Sequence, residues 1–316
     1  MNKINPTFSD VETAAERIAP FAEKTPVLTC SAINEMVDAK LYFKCENFQK
    51  VGAFKFRGAC NAVFSLTDEQ ASKGVATHSS GNHAAALALS GKLRGIPVHI
   101  VMPSNAPENK KQAVEGYGGK ITYCEPKVHA REVTLKKVID KTHSIEIHPY
   151  NDKRTISGQG TVALELLQSH PDLDVIITPI GGGGLISGTC IAAKGLNPNV
   201  TIIGAEPKGA DDAFLSLEKG EIVPQLNPNT IADGLLSSLG TKTFPIIYKH
   251  VSKIITVSEN EIIRAMRLLW ERLNIIIEPS SAVVLGALMK HPEENIGNKI
   301  GVILSGGNAD LNNLPW

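Results

Sequence analysis

Cysteine is scarce. The 316 residues hold five, Cys30, Cys45, Cys60, Cys124 and Cys190, odd in number, widely scattered and without a C-x-x-C pair. Nothing in that spacing suggests zinc or redox work, and the five read as reduced thiols in a core. An excess of charge of one sign is also missing: 32 Lys+Arg stand against 32 Asp+Glu. The chain therefore projects no field for tracking a phosphate backbone, and no nucleic-acid partner is expected. Nowhere do 18 apolar residues run together, and the opening Met1-Asn2-Lys3-Ile4-Asn5-Pro6 has no apolar h-region. The expectation is a soluble cytoplasmic protein that engages no membrane. No repeat period, low-complexity tract or Pro/Gly/Ser linker marks a domain boundary.

What is present fits an ordinary globular enzyme. A chain of 316 residues, 42% hydrophobic and 20% charged, has room for two cores of domain size. Ser9-Asp10-Val11-Glu12 has the spacing of a capping box and predicts a first helix ending before Pro20. Short apolar runs at Leu41–Glu46, Gly74–His78, Val98–Met102, Ile121–Cys124, Ser144–His148, Asp174–Ile180, Val200–Ala205, Ile254–Val257 and Ile300–Leu304 predict strands, with helical stretches such as Asn82–Leu93 between them. This alternation predicts an α/β fold of open, mainly parallel sheets with flanking helices. A second capping box, Ser258 with Glu261, opens a helix whose Ile262, Ile263, Met266, Leu269 and Leu273 share one apolar face.

Three segments carry chemistry. Gly181-Gly182-Gly183-Gly184-Leu185 follows a predicted strand and opens a helix, so backbone N–H groups and the helix N-terminus can converge on an anion. A bare strand-to-helix turn is the plain alternative. Gly182, Gly184 and Gly188, with Glu206 at the end of the next strand, loosely imitate a dinucleotide fingerprint and keep a nicotinamide-dependent dehydrogenase open. However, three residues separate Gly184 from Gly188 where that fingerprint has two. In Gly52-Ala53-Phe54-Lys55-Phe56-Arg57-Gly58 two phenylalanines flank one lysine, whose ammonium form an apolar pocket would disfavour. Taken alone, such a lysine is ordinarily a solvated one. Ser79-Ser80-Gly81-Asn82-His83 places two hydroxyls, an amide and an imidazole at a predicted helix N-terminus, a receptor for a carboxylate or a plain serine cap. His78 and His83 lie five apart and lack a ligand at i+4, which argues against zinc.

These three segments, with Leu304-Ser305-Gly306-Gly307-Asn308 and in this order, resemble the fold-type-II pyridoxal-phosphate enzymes, and more narrowly the serine racemase and hydroxy-amino-acid dehydratase branch. The likeness runs from about Ser9 to Leu311. It implies a two-domain, tryptophan-synthase-β-like fold: a large domain of residues 1–73 and 151–316, and a small mobile one, 74–150, with the cofactor between them. It also implies that Lys55 binds pyridoxal 5′-phosphate covalently and then serves as the base for the Cα proton. Gly181, Gly182, Gly183, Gly184 and Leu185 would hold the phosphate, Asn82 the ring hydroxyl and Ser305 the pyridine nitrogen. Ser79, Asn82, His83 and Ser237 would bind the substrate carboxylate, and Arg131 a second carboxylate such as that of 3-hydroxyaspartate.

Ser80 separates the activities within this branch. A racemase needs a second acid/base group on the opposite face of the substrate, whereas plain threonine dehydratases tend to carry alanine there. The resemblance thus implies racemisation of serine together with dehydration of L-serine to a 2-oxo acid and ammonia. Its near rival is dedicated dehydration of 3-hydroxyaspartate or threonine. Glu206-Pro207-Lys208-Gly209-Ala210-Asp211-Asp212 looks like the racemases' metal loop, with the Glu206 and Asp212 carboxylates and the Ala210 carbonyl holding Mg²⁺, or else Ca²⁺ or Mn²⁺. Ser31, Lys50, Tyr117 and Asn308 match the ATP site of the animal racemases, whereas Cys30, Val51, Ala85 and Asn274 replace its polar or charged members and argue against ATP activation. Ala84 stands where the racemases usually carry glycine. A homodimer is implied, and no regulatory domain is expected beyond Asn308.

Overall fold

The computed structural model describes residues 5–290 and 297–316; the leader reading drawn from Met1–Ile4 lies outside the described residues. Among the described residues ten strands form two sheets. They are β1 (Val27–Leu28), β2 (Lys40–Cys45), β3 (Val75–His78), β4 (Val98–Pro103), β5 (Lys120–Cys124), β6 (Ile145–Glu146), β7 (Val175–Pro179), β8 (Thr201–Pro207), β9 (Val251–Val257) and β10 (Lys299–Leu304). The larger sheet runs β1-β2-β10-β7-β8-β9, parallel throughout except for β1, and the smaller runs β5-β4-β3-β6, all parallel. Every residue of β7 is buried, as is every residue of β10 after Lys299, because helices cover both faces of the large sheet. That double cover is why these strands read as unbroken apolar runs.

Two expectations are corrected locally. The first helix, Phe8–Ile18, is capped by Thr7 and not by Ser9. The Thr7 hydroxyl accepts from the Asp10 N–H, and the Asp10 carboxylate accepts from the Thr7 N–H at 2.7 Å, so an aspartate closes the box two residues early. The strand expected over Ser144–His148 shrinks to Ile145–Glu146, because the His148 Nδ1 accepts from the N–H groups of Tyr150 and Asn151 and turns the chain there. The second box forms as read, with Ser258 capping Glu259–Leu273 and burying Ile262, Met266 and Leu269, while Ile263 and Leu273 are half-buried.

The helix Lys55–Phe64 stands between the two sheets. Its Phe56, Ala59 and Val63 enter the core of the smaller sheet beside Leu87 and Ile100, and it also packs on the helix Lys153–Ser169 of the larger unit. An ion cluster of three buried groups, Lys44, Glu46 and Arg57, and the partly buried Glu165 fixes it there. Arg57 Nε reaches Glu46 at 2.7 Å and its Nη1 reaches Glu165 at 2.7 Å, while Lys44 Nζ meets the other Glu165 oxygen at 2.6 Å. Burial of these three charges is tolerated because each is paired and hydrogen-bonded.

Candidate active site

Lys55 is the first residue of its helix, and the chain before it is bound to the end of β10. Phe54 N–H donates to the Ser305 carbonyl at 3.0 Å, and Ala53 forms an isolated antiparallel bridge with Gly306. The Lys55 amine donates to the Pro149 carbonyl at 3.0 Å and lies 5.1 Å from the centroid of the Phe54 ring. Burial brings its pKa down to about 8, against partial opposition from the Glu278 carboxylate. A start-of-helix position disfavours the cation further. The surrounding imidazoles carry no charge at neutral pH: burial above all lowers His83 to about 3 and His148 to about 4.

The glycine segment follows β7 and opens the helix Gly184–Leu196. Gly183 has φ +86°, a conformation only glycine adopts without strain, and a Cβ on Gly182 would lie 2.4 Å from the Tyr150 ring. The glycines are therefore required by close packing as well as by an open row of N–H groups. The free N–H groups at the head of Gly184–Leu196, in a turn without side chains, suit a phosphate.

β3 leads into Ser79, whose N–H donates to the Val101 carbonyl and whose hydroxyl accepts from the Gly81 N–H at 3.3 Å. Ser80 is half-buried in the same loop. Asn82 and His83 begin the helix Asn82–Arg94, so their backbone N–H groups head it. The His83 ring is buried, its Nε2 3.1 Å from the Ile147 carbonyl, leaving the backbone N–H as its means of meeting an anion. Asn82 is held from both ends of its amide: Nδ2 lies 2.9 and 3.1 Å from the two Glu278 oxygens, and Oδ1 accepts from Asn308 Nδ2 at 2.9 Å. Burial and Asp233 push Glu278 up to about 7.

The remaining expected residues fall into two groups. Ser305 is buried with its hydroxyl 3.1 Å from that of Ser281. The single Ser281 proton is taken by the Gly306 carbonyl at 2.6 Å, so Ser305 is the donor in the Ser281–Ser305 hydrogen bond, and its proton must leave Ser281 to meet a ligand. The Ser237 side chain lies near the Tyr150 phenol, whose ring packs against Gly182 of the glycine segment. Arg131, on the helix Val128–Thr142, is felt electrostatically by His78 and Cys124 at the carboxyl edge of the smaller sheet, and its buried Nε has no partner. Sequence reasoning missed Glu278 and Tyr150. The available signals were a carboxylate ending the run Ile275-Ile276-Ile277 before Pro279, and an aromatic residue after His148-Pro149.

The acidic loop begins at the end of β8. Both Glu206 oxygens accept backbone N–H groups, from Ala213 at 3.1 Å and Phe214 at 2.9 Å, so this carboxylate is engaged by the residues that follow its own loop. The ribose role weighed for it is thereby corrected. Asp212 Oδ2 accepts from the Leu239 N–H at 3.1 Å, while its Oδ1 is buried without a partner. Burial and the neighbouring Asp212 hold the Glu206 carboxyl well above the ordinary range, and burial raises Asp212 to about 6. Among the described residues no group of three or more His, Cys, Asp or Glu could hold a metal. A cavity of about 360 Å³ opens beside Asn82; Tyr117 and Asn308 line it, and so do Val51 and Ala85.

A half-buried lysine, with a glycine phosphate cradle and two hydrogen-bonding groups at the carboxyl ends of parallel strands, defines an enzyme that binds a phosphorylated carbonyl cofactor. Comparison with known proteins is consistent throughout. Residues 18–306 match the family described as pyridoxal-phosphate dependent enzyme. The chain is 52% identical over 311 residues to the β-hydroxyaspartate dehydratase of Paracoccus denitrificans, covering 98% of this chain and 99% of that one. It is 51% identical over 312 residues to the serine racemase of Dictyostelium discoideum, covering 98% and 96%. The maize serine racemase structure superposes with a TM-score of 0.95 at 50% identity, covering 97% of this chain and 95% of the other. The chain belongs to the pyridoxal-phosphate-dependent enzymes of fold type II, in the serine racemase and dehydratase branch. The dehydrogenase reading is overturned by this membership. No helix among the described residues is long and apolar enough to cross a membrane.

Proposed function

We propose that this enzyme racemises serine and dehydrates L-serine, and that Ser80 carries the distinction. The supporting observation is a hydroxyl at residue 80 in a chain 51% identical, over nearly its full length, to a serine racemase. Pyridoxal 5′-phosphate, when bound, supplies the electron sink that lets the Cα proton depart. Its phosphate would lie on the N–H groups of Gly181 to Leu185, its ring hydroxyl near Asn82 and its pyridine nitrogen near Ser305. The substrate carboxylate would meet Ser79, Ser237 and the N–H groups of Asn82 and His83. Lys55, with its amine already biased toward the free base, holds the proton on one face, and Ser80 delivers one from the other.

A specific observation favours a second reading, dehydration of 3-hydroxyaspartate. The buried, unpartnered Nε of Arg131 would gain a partner in a second substrate carboxylate, and the Paracoccus relative is a β-hydroxyaspartate dehydratase. The unpartnered Asp212 oxygen beside Glu206 supports a cation at that loop, Mg²⁺ or another hard divalent ion, with the Ala210 carbonyl as a third ligand. Movement of residues 74–150 against the rest, homodimerisation and residence in the cytoplasm complete the proposal, supported by the family resemblance.

Ser80→Ala tests the leading function. The variant should lose D-serine formation in chiral chromatography while keeping appreciable ammonia release from L-serine. A wild type that makes no D-serine leaves the dehydratase reading standing, and a variant that still racemises removes Ser80 from the mechanism.

A further inference from the structure

The carboxylate of Glu278 has no part in the chemistry assigned above, yet it is 4% exposed and faces the most strongly tethered side chain of the site. It reaches that place by local design. Glu278 ends an apolar run, its N–H donates to the Gly306 carbonyl at 3.1 Å, and its own carbonyl accepts from the Ser281 N–H at 2.9 Å as the helix Pro279–Lys290 begins. A negative charge is favoured at that helix end. Its Oε1 lies so near Gly306 that a Cβ there would come within 2.9 Å.

The hydrogen bonds from Val51 to Glu278 have a fixed polarity. Asn308 Nδ2 donates both to the Val51 carbonyl at 2.8 Å and to Asn82 Oδ1 at 2.9 Å, and Asn82 Nδ2 donates to Glu278. One end of this chain, the Val51 backbone carbonyl, can only accept, and so does the Glu278 carboxylate at the other end whenever it is ionised. Neither amide can then be reversed without setting acceptor against acceptor. The two oxygens of one carboxylate lie too close together to take both hydrogens of a single NH₂ group, so they share one and leave the second Asn82 hydrogen free.

We propose that Glu278 is a positioning residue: its carboxylate locks the Asn82 amide so that a single N–H is presented to the ring oxygen of pyridoxal 5′-phosphate. This rests on the assignment of Asn82 to that oxygen, and it adds the reason that Asn82 donates there and does not accept. A donor fixed in advance favours the ionised ring oxygen and sets the electronic state of the bound cofactor.

The test uses the holoenzyme and two optical readouts, the absorbance maximum of the bound cofactor and its dissociation constant from spectrophotometric titration. Glu278→Gln keeps the shape but replaces one accepting oxygen by an NH₂ that can be turned toward Asn82, so the Asn82 amide loses one of the two constraints on its polarity and keeps only that from Asn308. The band should move and the cofactor should bind about tenfold or more weakly, the scale of one hydrogen bond to a charged group. In an Asn82→Ala background, which reports whether Asn82 matters at all, adding Glu278→Gln should change neither readout further when both are taken above about pH 9, where the influence of the Glu278 charge on Lys55 no longer counts. Glu278→Asp, with its carboxylate drawn back by one methylene, should fall between wild type and Glu278→Gln, and it carries the test if the glutamine variant does not fold. An unchanged band and affinity in Glu278→Gln, or an equal loss with and without Asn82, overturns the proposal. If Asn82→Ala leaves the cofactor unaffected, it is the underlying assignment of Asn82 that has failed.

Discussion

Capture of the cofactor by the stripped enzyme should report the buried state of Lys55 directly. Only the neutral amine attacks a carbonyl, and burial lowers this lysine from 10.5 to about 8. At about pH 7.5 an amine of pKa about 8 is about one-quarter free base, whereas one at 10.5 is about one part in a thousand, a difference of about two hundredfold in attacking species. The free-amine fraction rises with pH, so the capture rate should climb about tenfold per pH unit below about 8 and level off above it. The assay is stopped-flow mixing of cofactor-free protein with excess pyridoxal 5′-phosphate at constant ionic strength, following the absorbance of the lysine adduct. A model amine run in parallel removes the cofactor's own titrations. Because the Glu278 charge helps hold the proton on Lys55, Glu278→Gln should move the break to lower pH. A rate still climbing tenfold per unit beyond about pH 9 would refute burial of the amine.

Three further outcomes follow from the geometry. Arg57→Ala strands the buried Glu46 and half-strands Glu165, so urea unfolding should show a loss of about 3–5 kcal/mol; a loss under about 1 kcal/mol would mean that the cluster is not coupled to stability. Exhaustive chelation should lower melting temperature and activity together, with Mg²⁺ or Ca²⁺ restoring both and Asp212→Ala copying the chelated state, since a ligand of the native state adds about 2.7 kcal/mol at a hundredfold excess over its Kd. No change in either quantity removes the metal. Arg131→Leu should reduce kcat/KM for 3-hydroxyaspartate about tenfold to a hundredfold more than for serine, the scale of a charge-assisted pair, and equal losses on both substrates would make Arg131 structural.

Much of the fold was legible because burial on both faces turns β7 and β10 into continuous apolar runs, and because a cap such as Ser258 with Glu261 is a local code. β1 was not legible: two residues have no period. The Thr7 cap escaped notice because an aspartate, with its shorter arm, completes the box there. In the site, Lys55, Asn82 and the glycine segment stood out through unusual local composition. Glu278 and Tyr150 did not, since each owes its position to partners 196 residues away in one case and to the glycine turn in the other. A lone carboxylate or aromatic ring has no signature until folding supplies its neighbours.

The main-chain seam between Ala53-Phe54 and Ser305-Gly306 has a consequence for how such an enzyme changes over time. The lysine and the serine that would grip opposite ends of the cofactor are spaced by backbone hydrogen bonds, which no side-chain substitution removes. The span between them is thus a fixed gauge. Residues on the Ser79–His83 loop and on the helix of Arg131 lie outside that gauge, so substitutions there would let a lineage exchange one amino-acid substrate for another, or gain and lose a second proton donor, without rebuilding the seat of the cofactor.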